Sequence, residues 1–440
     1  MKLKIDDVLK SSNQPDLSDV ELYGWIDRIR LLKNVQFLVL RDTTGKIQIT
    51  NPLENDSART LGELIAKITP ESFIRVVGRK NFNPQVKLGG IEIIPEEIEI
   101  LSLAETPLPL QPSAQLKERL DWRFLDLRHP QNFLIFKIQT VLEQAMREFW
   151  AERNFIEIHS PKLMGSASES GAELFEVKYF EGKAYLAQSP QFYKQMAMAA
   201  GFERIFEIGP VFRANPSFTS RHDTEFTSID VEFSPVNSHL QVMEMEELLL
   251  KHCLTAVKEK LGEEILQVFG VEIAVPTIPF PKLTMTEAYT ILAEKNHQIP
   301  KEYNGDLDPE GEKKITDYIK DKYGHEFVFV TDYPISVRPF YHMRHEDNPT
   351  LTKSFDLLWK GLEITTGAMR EHRYEKLEKQ AKEKGLNPES IKFYLDFFHY
   401  GMPPHGGFGL GLTRLLMILL NIKNVREVTY LYRGPNRLTP

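Results

Sequence analysis

Short runs in the first hundred residues alternate apolar and polar positions, as β-strands with one buried face do. Turn-forming stretches such as DTTGK separate these runs. The runs are ELYGWIDRIR, VQFLVLRD, GKIQITNP, FIRVVGR and IEIIPEEIEIL. Strands of this number and length predict a small barrel, for which the oligonucleotide-binding (OB) barrel is the common form and the SH3-like barrel the alternative.

A proline-rich segment, AETPLPLQP at residues 104–112, follows the predicted barrel and is typical of a stiff linker. Beyond it, apolar residues recur at helical spacing in FLIFKIQTVLEQAMREFW, which predicts an amphipathic core helix. FIEIHSPKL then predicts a strand that ends at Pro161. Two β-runs flank a polar loop in RIFEIGPVFRANPSFTSRHDTEFTSIDVEFS, which predicts a long antiparallel hairpin.

The remaining pattern predicts a helix over about 238–260, further strands in KSFDLLWKGLEITTGAMR and a charged helix over 373–385. A mainly antiparallel sheet with flanking helices is an α+β fold. We therefore divide the chain into a barrel at 1–103, a linker at 104–125 and a larger domain at 126–440.

Composition narrows the class of protein. A hydrophobic content of 42% and a charged content of 26% are those of an ordinary globular chain. No apolar run reaches membrane-spanning length and the N-terminus is not a signal peptide, so we expect the cytoplasm. The net charge of −8 gives no global attraction to nucleic acid. The lone Cys253 excludes a disulfide framework and a cysteine-based zinc site.

The segment HGGFGLGLTRLLM places closely spaced glycines before an apolar helix. Gly406 and Gly411 have the spacing of a Walker A loop, but Leu412 stands in place of its lysine. Gly407, Gly409 and Gly411 alternate, which departs from the dinucleotide-binding pattern. Alternating glycines instead suit an extended segment that packs close to another surface.

Carboxylates, a hydroxyl and arginines recur on the hairpin, the later strand pair and the glycine segment. Asp356, Glu363 and Thr366 form an oxygen-only set suited to Mg²⁺, which arrives with phosphate oxygens as further ligands. Arginines aimed at the same place would neutralise a polyphosphate. Taken singly, each of these residues is better explained by an ordinary polar role, such as a surface or edge-strand salt bridge.

Three of these segments resemble the signature motifs of class II aminoacyl-tRNA synthetases. Residues 150–163 resemble motif 1, residues 204–233 resemble motif 2 and residues 405–420 resemble motif 3. With an N-terminal OB-fold barrel, the resemblance covers essentially the whole chain and indicates the Asp/Asn/Lys subgroup. SASESGAELFEVKYFEGKAYLAQSPQFYKQMAM and RPFYHMRHEDNPTLTKSFDLLWKGLEITTGAMREHRYE are similar to aspartyl-tRNA synthetases of the archaeal and eukaryotic type.

The resemblance implies an anticodon-binding OB-fold joined to a class II catalytic domain. It also implies that ATP activates L-aspartate, with release of pyrophosphate, and that the aspartyl group passes to the 3′ end of tRNA-Asp. Mg²⁺ would accompany ATP, and positioning with electrostatics would replace a side-chain base. The chain would form a homodimer with Pro161 at the interface. Lys194 would face the substrate carboxylate, where asparaginyl enzymes have an acidic residue.

The resemblance assigns residues to each role. Arg213 and Arg414 would be catalytic. ATP would contact Arg213, Arg221, His222, Phe226, Glu363, Gly411 and Arg414. Aspartate would contact Glu169, Gln191, Lys194, Arg213, Asp230, Thr366 and Arg370. Mg²⁺ would be held by Asp356, Glu363 and Thr366. The anticodon would be read by Arg30, Gln48 and Glu92, with Phe37 stacked on its central base; placement of Phe37 in the barrel core is the alternative.

Asn215 and Thr413 stand where the family usually has Glu. Asp27 stands at the expected discriminating position of the barrel and matches neither specificity pattern, so charging of tRNA-Asn is left open. The competing functions are an asparaginyl-tRNA synthetase and a paralogue that makes an amide or a small-molecule conjugate without tRNA. The retained barrel argues against the paralogue. A non-catalytic RNA-binding protein is disfavoured because the phosphate and metal residues are present.

Overall fold

A computed structural model describes residues 3–10, 20–166, 173–216 and 219–440. The chain divides into two compact units, Met1–Gln115 and Leu116–Pro440. The boundary lies inside the segment 104–125 that the sequence predicts as a linker. Among the described residues, no helix combines the length and the apolar composition needed to cross a membrane.

In the described part of the first unit, five strands form a closed barrel and two helices accompany it. The strands are β1 (Val20–Leu31), β2 (Val35–Arg41), β3 (Lys46–Pro52), β4 (Phe73–Phe82) and β5 (Ile91–Ser102). The helices are α1 (Ile5–Lys10) and α2 (Asp56–Ile65). The strand order is β1-β2-β3-β5-β4, with β3 and β5 parallel. This is the order of an OB-fold, so the barrel predicted from the sequence is confirmed and the SH3-like alternative is wrong.

The barrel core is formed by the alternate, inward-facing residues of each strand. On β2, Leu38 and Leu40 are fully buried in this core. Phe37 lies between these inward positions in the alternation and is only half-buried. The alternative that Phe37 belongs to the barrel core is therefore wrong, and its ring lies on the outer face.

The second unit contains a large sheet, a small sheet and the remaining helices. The strands are β6 (Ile156–Glu157), β7 (Leu163–Met164), β8 (Glu176–Tyr179), β9 (Gly182–Leu186), β10 (Arg204–Phe212), β11 (Glu225–Phe233), β12 (Lys282–Thr284), β13 (Phe327–Thr331), β14 (Ser354–Trp359), β15 (Leu362–Met369) and β16 (Gly406–Gly411). The α-helices are α3 (Leu116–Asp121), α4 (Arg123–Asp126), α5 (Pro130–Ala151), α6 (Gln191–Ala199), α7 (His239–Phe269), α8 (Met285–Glu294), α9 (Pro309–Tyr323), α10 (Tyr374–Glu383), α11 (Lys392–Leu395), α12 (Leu412–Leu419) and α13 (Val425–Val428). Short 3-10 turns occur at Lys301–Tyr303, Pro388–Ile391 and Asp396–His399.

The large sheet has the order β12-β13-β14-β15-β16-β11-β10-β6, and the small sheet has the order β7-β9-β8. All pairs in the large sheet are antiparallel except β12–β13 and β10–β6. The mainly antiparallel α+β architecture expected from the sequence is confirmed. The predicted hairpin is β10 and β11, and the glycine segment is β16 followed directly by α12.

Two elements differ from the sequence-based expectation. The strand predicted in FIEIHSPKL is limited to Ile156–Glu157, because the Glu207 carboxylate, rather than a strand ladder, accepts from the Ser160 amide at 3.0 Å. Helix α7 continues past Lys260 to Phe269, since Ile265 is fully buried in the core. It ends at Gly270, whose φ of 67° is the left-handed conformation that glycine adopts without strain.

Candidate active site

A cavity of about 370 Å³ opens on the face of the large sheet formed by β11, β15 and β16. The residues expected from the sequence that line it are Gln191, Lys194, Arg213, Arg221, His222, Phe226, Asp230, Glu363, Thr366, Arg370, Gly411 and Arg414. Asn215 and Thr413, where this chain departs from the family, line it as well. Segments that lie far apart in the sequence therefore contribute to one cavity.

The strand register explains why these side chains converge. Asp230 on β11 and Thr366 on β15 both lie opposite Gly409 of β16. Directly opposed residues share a face of the sheet, so the acidic side chain and the hydroxyl flank the glycine strand. Phe408 and Leu410 point to the other face, where both are fully buried.

The alternating glycines make room for carboxylates. A Cβ on Gly407 would lie 2.0 Å from the carbonyl oxygen of Val231 and 2.4 Å from Oε2 of Glu232. A Cβ on Gly409 would lie 3.3 Å from Oδ1 of Asp230. The sequence pattern predicts close packing at this strand, and the structure shows that buried acidic side chains of β11 occupy the space.

Lys194 belongs to a cluster of opposed charges, the buried cluster, formed by Lys194, Asp230, Glu232, His342 and Arg370. Lys194 is 2% exposed and reaches the strands from α6. Its Nζ lies 3.0 Å from Oδ1 of Asp230, 3.3 Å from Oε2 of Glu232 and 3.5 Å from the carbonyl oxygen of Phe408. These acceptors match the three N–H bonds of an ammonium group.

Arg370 is held as tightly in the same cluster. Its Nε and Nη2 donate to the two oxygens of Glu232 at 3.0 and 3.3 Å, and Nη2 also donates to the Gly407 carbonyl at 3.0 Å. Nη1 lies 2.9 Å from Nε2 of His342. These contacts account for four of the five N–H bonds of a guanidinium. One Nη1–H bond remains for a ligand.

Pairing with two cations keeps the buried Glu232 carboxylate ionised. Burial alone would raise the pKa of Glu232, but Arg370 and Lys194 outweigh it and lower that pKa. Burial and the Arg370 guanidinium hold the pKa of His342 well below its usual value, so its imidazole is neutral and Nε2 accepts from Arg370. Within the described part of the chain, Nδ1 of His342 has no hydrogen-bond partner.

Sequence reasoning missed Glu232 and His342. Glu232 follows Asp230 by two positions in IDVEF, so strand alternation places both on the same face and could have indicated it. His342 belongs to RPFYHM, whose chain path the sequence pattern does not predict. Only the fold shows that this segment returns to Arg370.

Arg213, Arg221 and Arg414, called here the arginine group, lie in more accessible parts of the cavity. The Arg213 guanidinium lies 5.4 Å from the ring centre of Phe226. Arg221 Nη1 is 3.6 Å from Oε2 of Glu312, and Arg414 Nη1 is 3.6 Å from Oε1 of Glu363. These long, partly exposed ion pairs are weak, so the arginines can exchange them for a ligand.

Several carboxyl groups close to the arginine group have a raised pKa. Burial, with the neighbouring Glu363 carboxylate adding to it, raises the pKa of Glu312 to about 8. Burial raises the pKa of Asp223 to about 7. Near neutral pH these carboxyl groups are largely or partly protonated. They therefore neutralise less of the positive charge of the arginine group than fully ionised carboxylates would.

The donor set at Asp356 and Glu363 fits a hard cation. Asp356 is 3% exposed and does not line the cavity, unlike the other two expected metal ligands, Glu363 and Thr366. Its Oδ2 pairs with Nη2 of Arg338 at 2.6 Å, while its buried Oδ1 has no hydrogen-bond partner among the described residues. Burial and the Asp356 charge raise the pKa of Glu363. A bound divalent cation would lower that pKa, because it favours the charged carboxylate.

No group of three or more His, Cys, Asp or Glu side chains in the described ranges is arranged to hold a metal. A cation at Asp356 and Glu363 would therefore depend on additional oxygens, as Mg²⁺ with phosphates does. The hydroxyl of Thr366 lies 3.1 Å from Oε1 of Glu363 and is a third oxygen in the same place.

Gln191 lines the cavity with its amide engaged, whereas Pro161 is not among the described residues that line it. Gln191 is 4% exposed and donates to Oε1 of Gln195 at 2.9 Å. Glu169 falls in the range 167–172, outside the described residues. Pro161 is exposed, and so are two apolar residues close to it in the sequence, Ile156 and Leu163.

The four barrel residues expected to read RNA share one outer face. Arg30 lies opposite Phe37, which lies opposite Thr50, and Gln48 lies opposite Glu92. The strands involved are neighbours in the barrel, so the side chains form a continuous surface.

Glu92 belongs to that outer face but is almost fully buried by its neighbours. It is 4% exposed and accepts hydrogen bonds from Gln48, Thr50, Asn81 and Asn83 at 2.5 to 3.1 Å. Burial alone would raise its pKa, but these donors outweigh it and lower the pKa. Glu92 therefore orients the amide groups around it, and any base that it contacts must compete with them.

The chain belongs to the class II tRNA synthetases (D, K and N), whose family model matches residues 115–433. An OB-fold nucleic acid binding domain matches residues 20–101. The enzyme is an aminoacyl-tRNA ligase, in agreement with the resemblance of its three motifs.

Its relatives include enzymes named for aspartate. The aspartate–tRNA(Asp) ligase of Pyrococcus abyssi is 46% identical over 425 residues and covers 96% of each chain. The aspartate–tRNA(Asp/Asn) ligase of Methanopyrus kandleri is 46% identical over 429 residues and covers 97% of each chain. Asparaginyl-tRNA synthetase from Pyrococcus horikoshii, complexed with asparaginyl-adenylate, has a TM-score of 0.90 at 30% identity over all of both chains.

Proposed function

We propose that the protein is an aspartate–tRNA ligase that forms aspartyl-adenylate from ATP and L-aspartate and then charges tRNA-Asp. The observation that carries this proposal is the presence of Lys194 and Arg370, two buried cations, in one cavity with the arginine group. Relatives named aspartate–tRNA ligase, which match nearly the full length of the chain, support the amino-acid assignment.

The buried cluster selects aspartate by exchanging charge partners. The substrate ammonium takes Asp230, which releases Lys194 toward the side-chain carboxylate, and Arg370 offers its remaining Nη1–H to the same group. Each buried charge therefore keeps a partner of opposite sign throughout this exchange. Asparagine brings an amide NH₂ toward cationic donors and leaves buried charge unpaired, a penalty much larger than a difference in shape.

The arginine group binds ATP. Arg213 holds the α-phosphate and the reacting carboxylate, while Arg221 and Arg414 hold the γ-phosphate. Phe226 stacks on adenine, next to the guanidinium that already lies 5.4 Å from its ring centre. His222 and Gly411 complete the ATP contacts, with Gly411 beneath the nucleoside because its lack of a side chain leaves that floor open.

Asp356, Glu363 and Thr366 would hold Mg²⁺, which when bound neutralises phosphate charge. Positioning by this chain's residues supplies the rest of catalysis. A carboxylate oxygen of aspartate bonds to the α-phosphorus, and the bond to the pyrophosphate oxygen breaks. The terminal ribose hydroxyl of tRNA then bonds to the aspartyl carbonyl carbon, loses its proton to the departing phosphate or solvent, and AMP leaves. Arg213 and Arg414 stabilise the charge that builds at phosphorus.

The barrel surface binds the anticodon. Phe37 stacks on a base because its ring is on the outer face, and Arg30, Gln48 and Glu92 meet the base edges around it. Asp27 pairs with Lys46 at 2.9 Å and with Arg41 at 3.2 Å, so its carboxylate is engaged with the barrel itself. The relatives include both the tRNA(Asp) and the tRNA(Asp/Asn) forms, and tRNA-Asn is a second candidate substrate.

Three further predictions from the sequence stay predictions. A homodimer with Pro161 at its interface agrees with the exposure of this proline and of two apolar residues close to it in the sequence. The division at 1–103, 104–125 and 126–440 and a cytoplasmic location also await direct measurement.

Pyrophosphate exchange with each amino acid tests the proposal. Exchange that requires aspartate is the expected result, and exchange with asparagine alone would contradict it and favour an asparaginyl enzyme. Charging of purified tRNA-Asp and tRNA-Asn side by side then tests the second step. Normal exchange with no charging of either tRNA would instead support the paralogue that makes a small-molecule conjugate.

Phe37→Ala tests the RNA-binding step separately from amino-acid activation. Loss of a base–aromatic stack costs about 1–3 kcal/mol, so the KM for tRNA rises at least about fivefold. Amino-acid activation in the cavity stays unchanged.

A further inference from the structure

Arg123, in the short helix α4, is the most completely buried arginine outside the cavity. It is 1% exposed and pairs with Asp126 on the same helix. Its remaining donors reach the backbone near the C-terminus: Nη2 donates to the carbonyls of Glu427 at 2.8 Å and Thr429 at 2.9 Å, and Nε to that of Tyr430 at 3.3 Å. One side chain therefore fixes three carbonyls of a single segment.

That segment, residues 425–433 and called here the C-terminal segment, holds the hairpin loop at residues 219–224. The Val425 amide donates to the Ser220 carbonyl at 2.9 Å, and the Thr224 amide donates to the Arg433 carbonyl at 3.1 Å. The Tyr432 hydroxyl donates to the carbonyl of His222 at 3.3 Å.

The same loop carries two residues of the cavity wall. Arg221 and His222 lie between Ser220 and Thr224, the residues that the C-terminal segment contacts through the backbone. The loop is otherwise a polar connection between β10 and β11, and such connections are mobile unless they are bonded to a rigid element. Four contacts from one segment, including one from the Thr429 hydroxyl to Asp223 at 3.4 Å, provide that support.

We propose that Arg123 is a positioning residue for ATP: it fixes the C-terminal segment, which in turn holds Arg221 and His222 toward the triphosphate. The inference rests on the proposed function, since ATP is the ligand of this wall. A guanidinium suits the task because its donors point in several fixed directions, whereas an ammonium is a single point of charge. Arg123→Lys keeps the charge beside Asp126 and loses the simultaneous contacts to three carbonyls.

Arg119, on helix α3, provides a matched control. It pairs with Asp126 at 2.8 Å and with the side chain of Glu427 at 3.0 Å, but among the described residues no carbonyl of the C-terminal segment accepts a hydrogen bond from it. Arg119→Lys therefore perturbs the shared partner Asp126 and the ion pair with the Glu427 side chain, without releasing the carbonyls. A difference between the two variants isolates the contacts made by Arg123.

Steady-state pyrophosphate exchange on the full chain gives the first readout. We expect Arg123→Lys to raise the KM for ATP about tenfold, equivalent to about 1.4 kcal/mol, with the KM for aspartate changed by less than about twofold. Arg119→Lys should leave both constants near the wild-type values. Equal rises in both constants for Arg123→Lys, or equal behaviour of the two variants, would overturn the inference.

Hydrogen–deuterium exchange of the peptide spanning 219–226 gives a readout that does not depend on catalysis. Arg123→Lys should accelerate exchange there and across 429–433, while peptides of the barrel stay unchanged. If the wild type activates no aspartate, the proposed function fails, and this measurement still decides the role of Arg123. Unaltered exchange of the 219–226 peptide would refute it.

Tyr432→Phe is a second, milder variant that keeps the fold. It removes only the hydroxyl that bonds to the His222 carbonyl, so the ATP KM should rise about two- to fivefold in the same direction, consistent with one hydrogen bond. No rise in the ATP KM for Tyr432→Phe, together with a general loss of stability in Arg123→Lys, would reduce Arg123 to a structural residue.

Discussion

The buried cluster and the arginine group lie at one cavity, but their charged side chains differ in burial and in ion pairing. In the cluster, Lys194 and Arg370 are at most 2% exposed and bonded to Asp230 and Glu232 at close range. In the arginine group, the ion pairs of Arg221 and Arg414 are 3.6 Å long. No carboxylate of the described chain lies within ion-pair distance of Arg213.

In the proposed function, the difference follows from the ligand that each part recognises. Aspartate and asparagine differ by one charged group, so selection requires a rigid arrangement in which an uncompensated charge is costly. A triphosphate carries several charges, so its site benefits from accessible cations whose weak contacts can be exchanged. In the proposed function, paired buried charges therefore provide the specificity for aspartate, and the nearly unpaired, accessible charges bind ATP.

Lys194→Leu should have the largest effect and breaks the buried cluster. The sequence alone predicts loss of aspartate activation with survival of the fold. The structure adds a cost in stability, because Asp230 and Glu232 lose a buried counter-charge worth about 3–5 kcal/mol. Exchange with aspartate should fall more than about a hundredfold. Exchange assays and urea denaturation measure the two effects, and an active variant of normal stability would contradict both.

Glu232→Gln and Glu246→Gln form a matched pair that separates pairing from burial. Both glutamates are fully buried, but burial raises the pKa of Glu246 to about 8, whereas cations lower that of Glu232. Folded Glu246 retains a proton that the unfolded chain releases above its ordinary pKa of 4.5. Its contribution to stability is therefore lost as pH rises from about 4.5 to about 8.

Glu246→Gln should remove this loss and stabilise the protein at pH 7 by about 3 kcal/mol, with little gain at pH 4.5. Glu232→Gln should instead destabilise it at pH 7 by a similar amount, about 3 kcal/mol, because two buried cations lose their partner. Denaturant titrations at pH 5, 7 and 8 provide the measurement. Parallel pH profiles for the two variants would show that burial, not pairing, controls both groups.

Arg414→Gln tests the accessible cations. The side chain makes one backbone contact, to the Glu363 carbonyl at 3.1 Å, and one long ion pair, so the unfolding free energy should change by less than about 1 kcal/mol. The rate of exchange should fall about a hundredfold, since charge at phosphorus loses a stabilising group. The KM for aspartate should stay constant. A large rise in that KM would show that the two parts of the cavity are not independent.

Thr413→Glu should have the smallest effect and places the family's usual residue at the start of α12. A carboxylate in the first turn gains about 0.5 kcal/mol from the helix dipole. It also opposes the triphosphate, so the ATP KM should rise by no more than about threefold. Thermal melting and exchange kinetics measure these changes. A tenfold change in either direction would give Thr413 a specific role in this chain.

Local patterns were sufficient for much of the fold. The five barrel strands, helix α5, the β10–β11 hairpin and the β16–α12 junction all follow from periodicity and turn residues. The strand expected around Ser160 failed because a side chain, Glu207, takes the backbone donor that a ladder would use. The sequence predicted that helix α7 ends at about Lys260, but it continues to Phe269. Burial of Ile265 in the core outweighs the low helix propensity of Gly262.

For this protein, the sequence by itself determined the two architectures, the family and twelve of the residues that line the cavity. It did so because strand alternation and the ordered motifs are local properties of the chain. Only the tertiary structure decided which charges meet. Lys194 and Asp230 are 36 positions apart, Arg370 and Glu232 are 138 apart, and Arg123 reaches the carbonyl of Thr429 across 306 positions. Pairing energies depend on distance and burial in space, which no local pattern encodes.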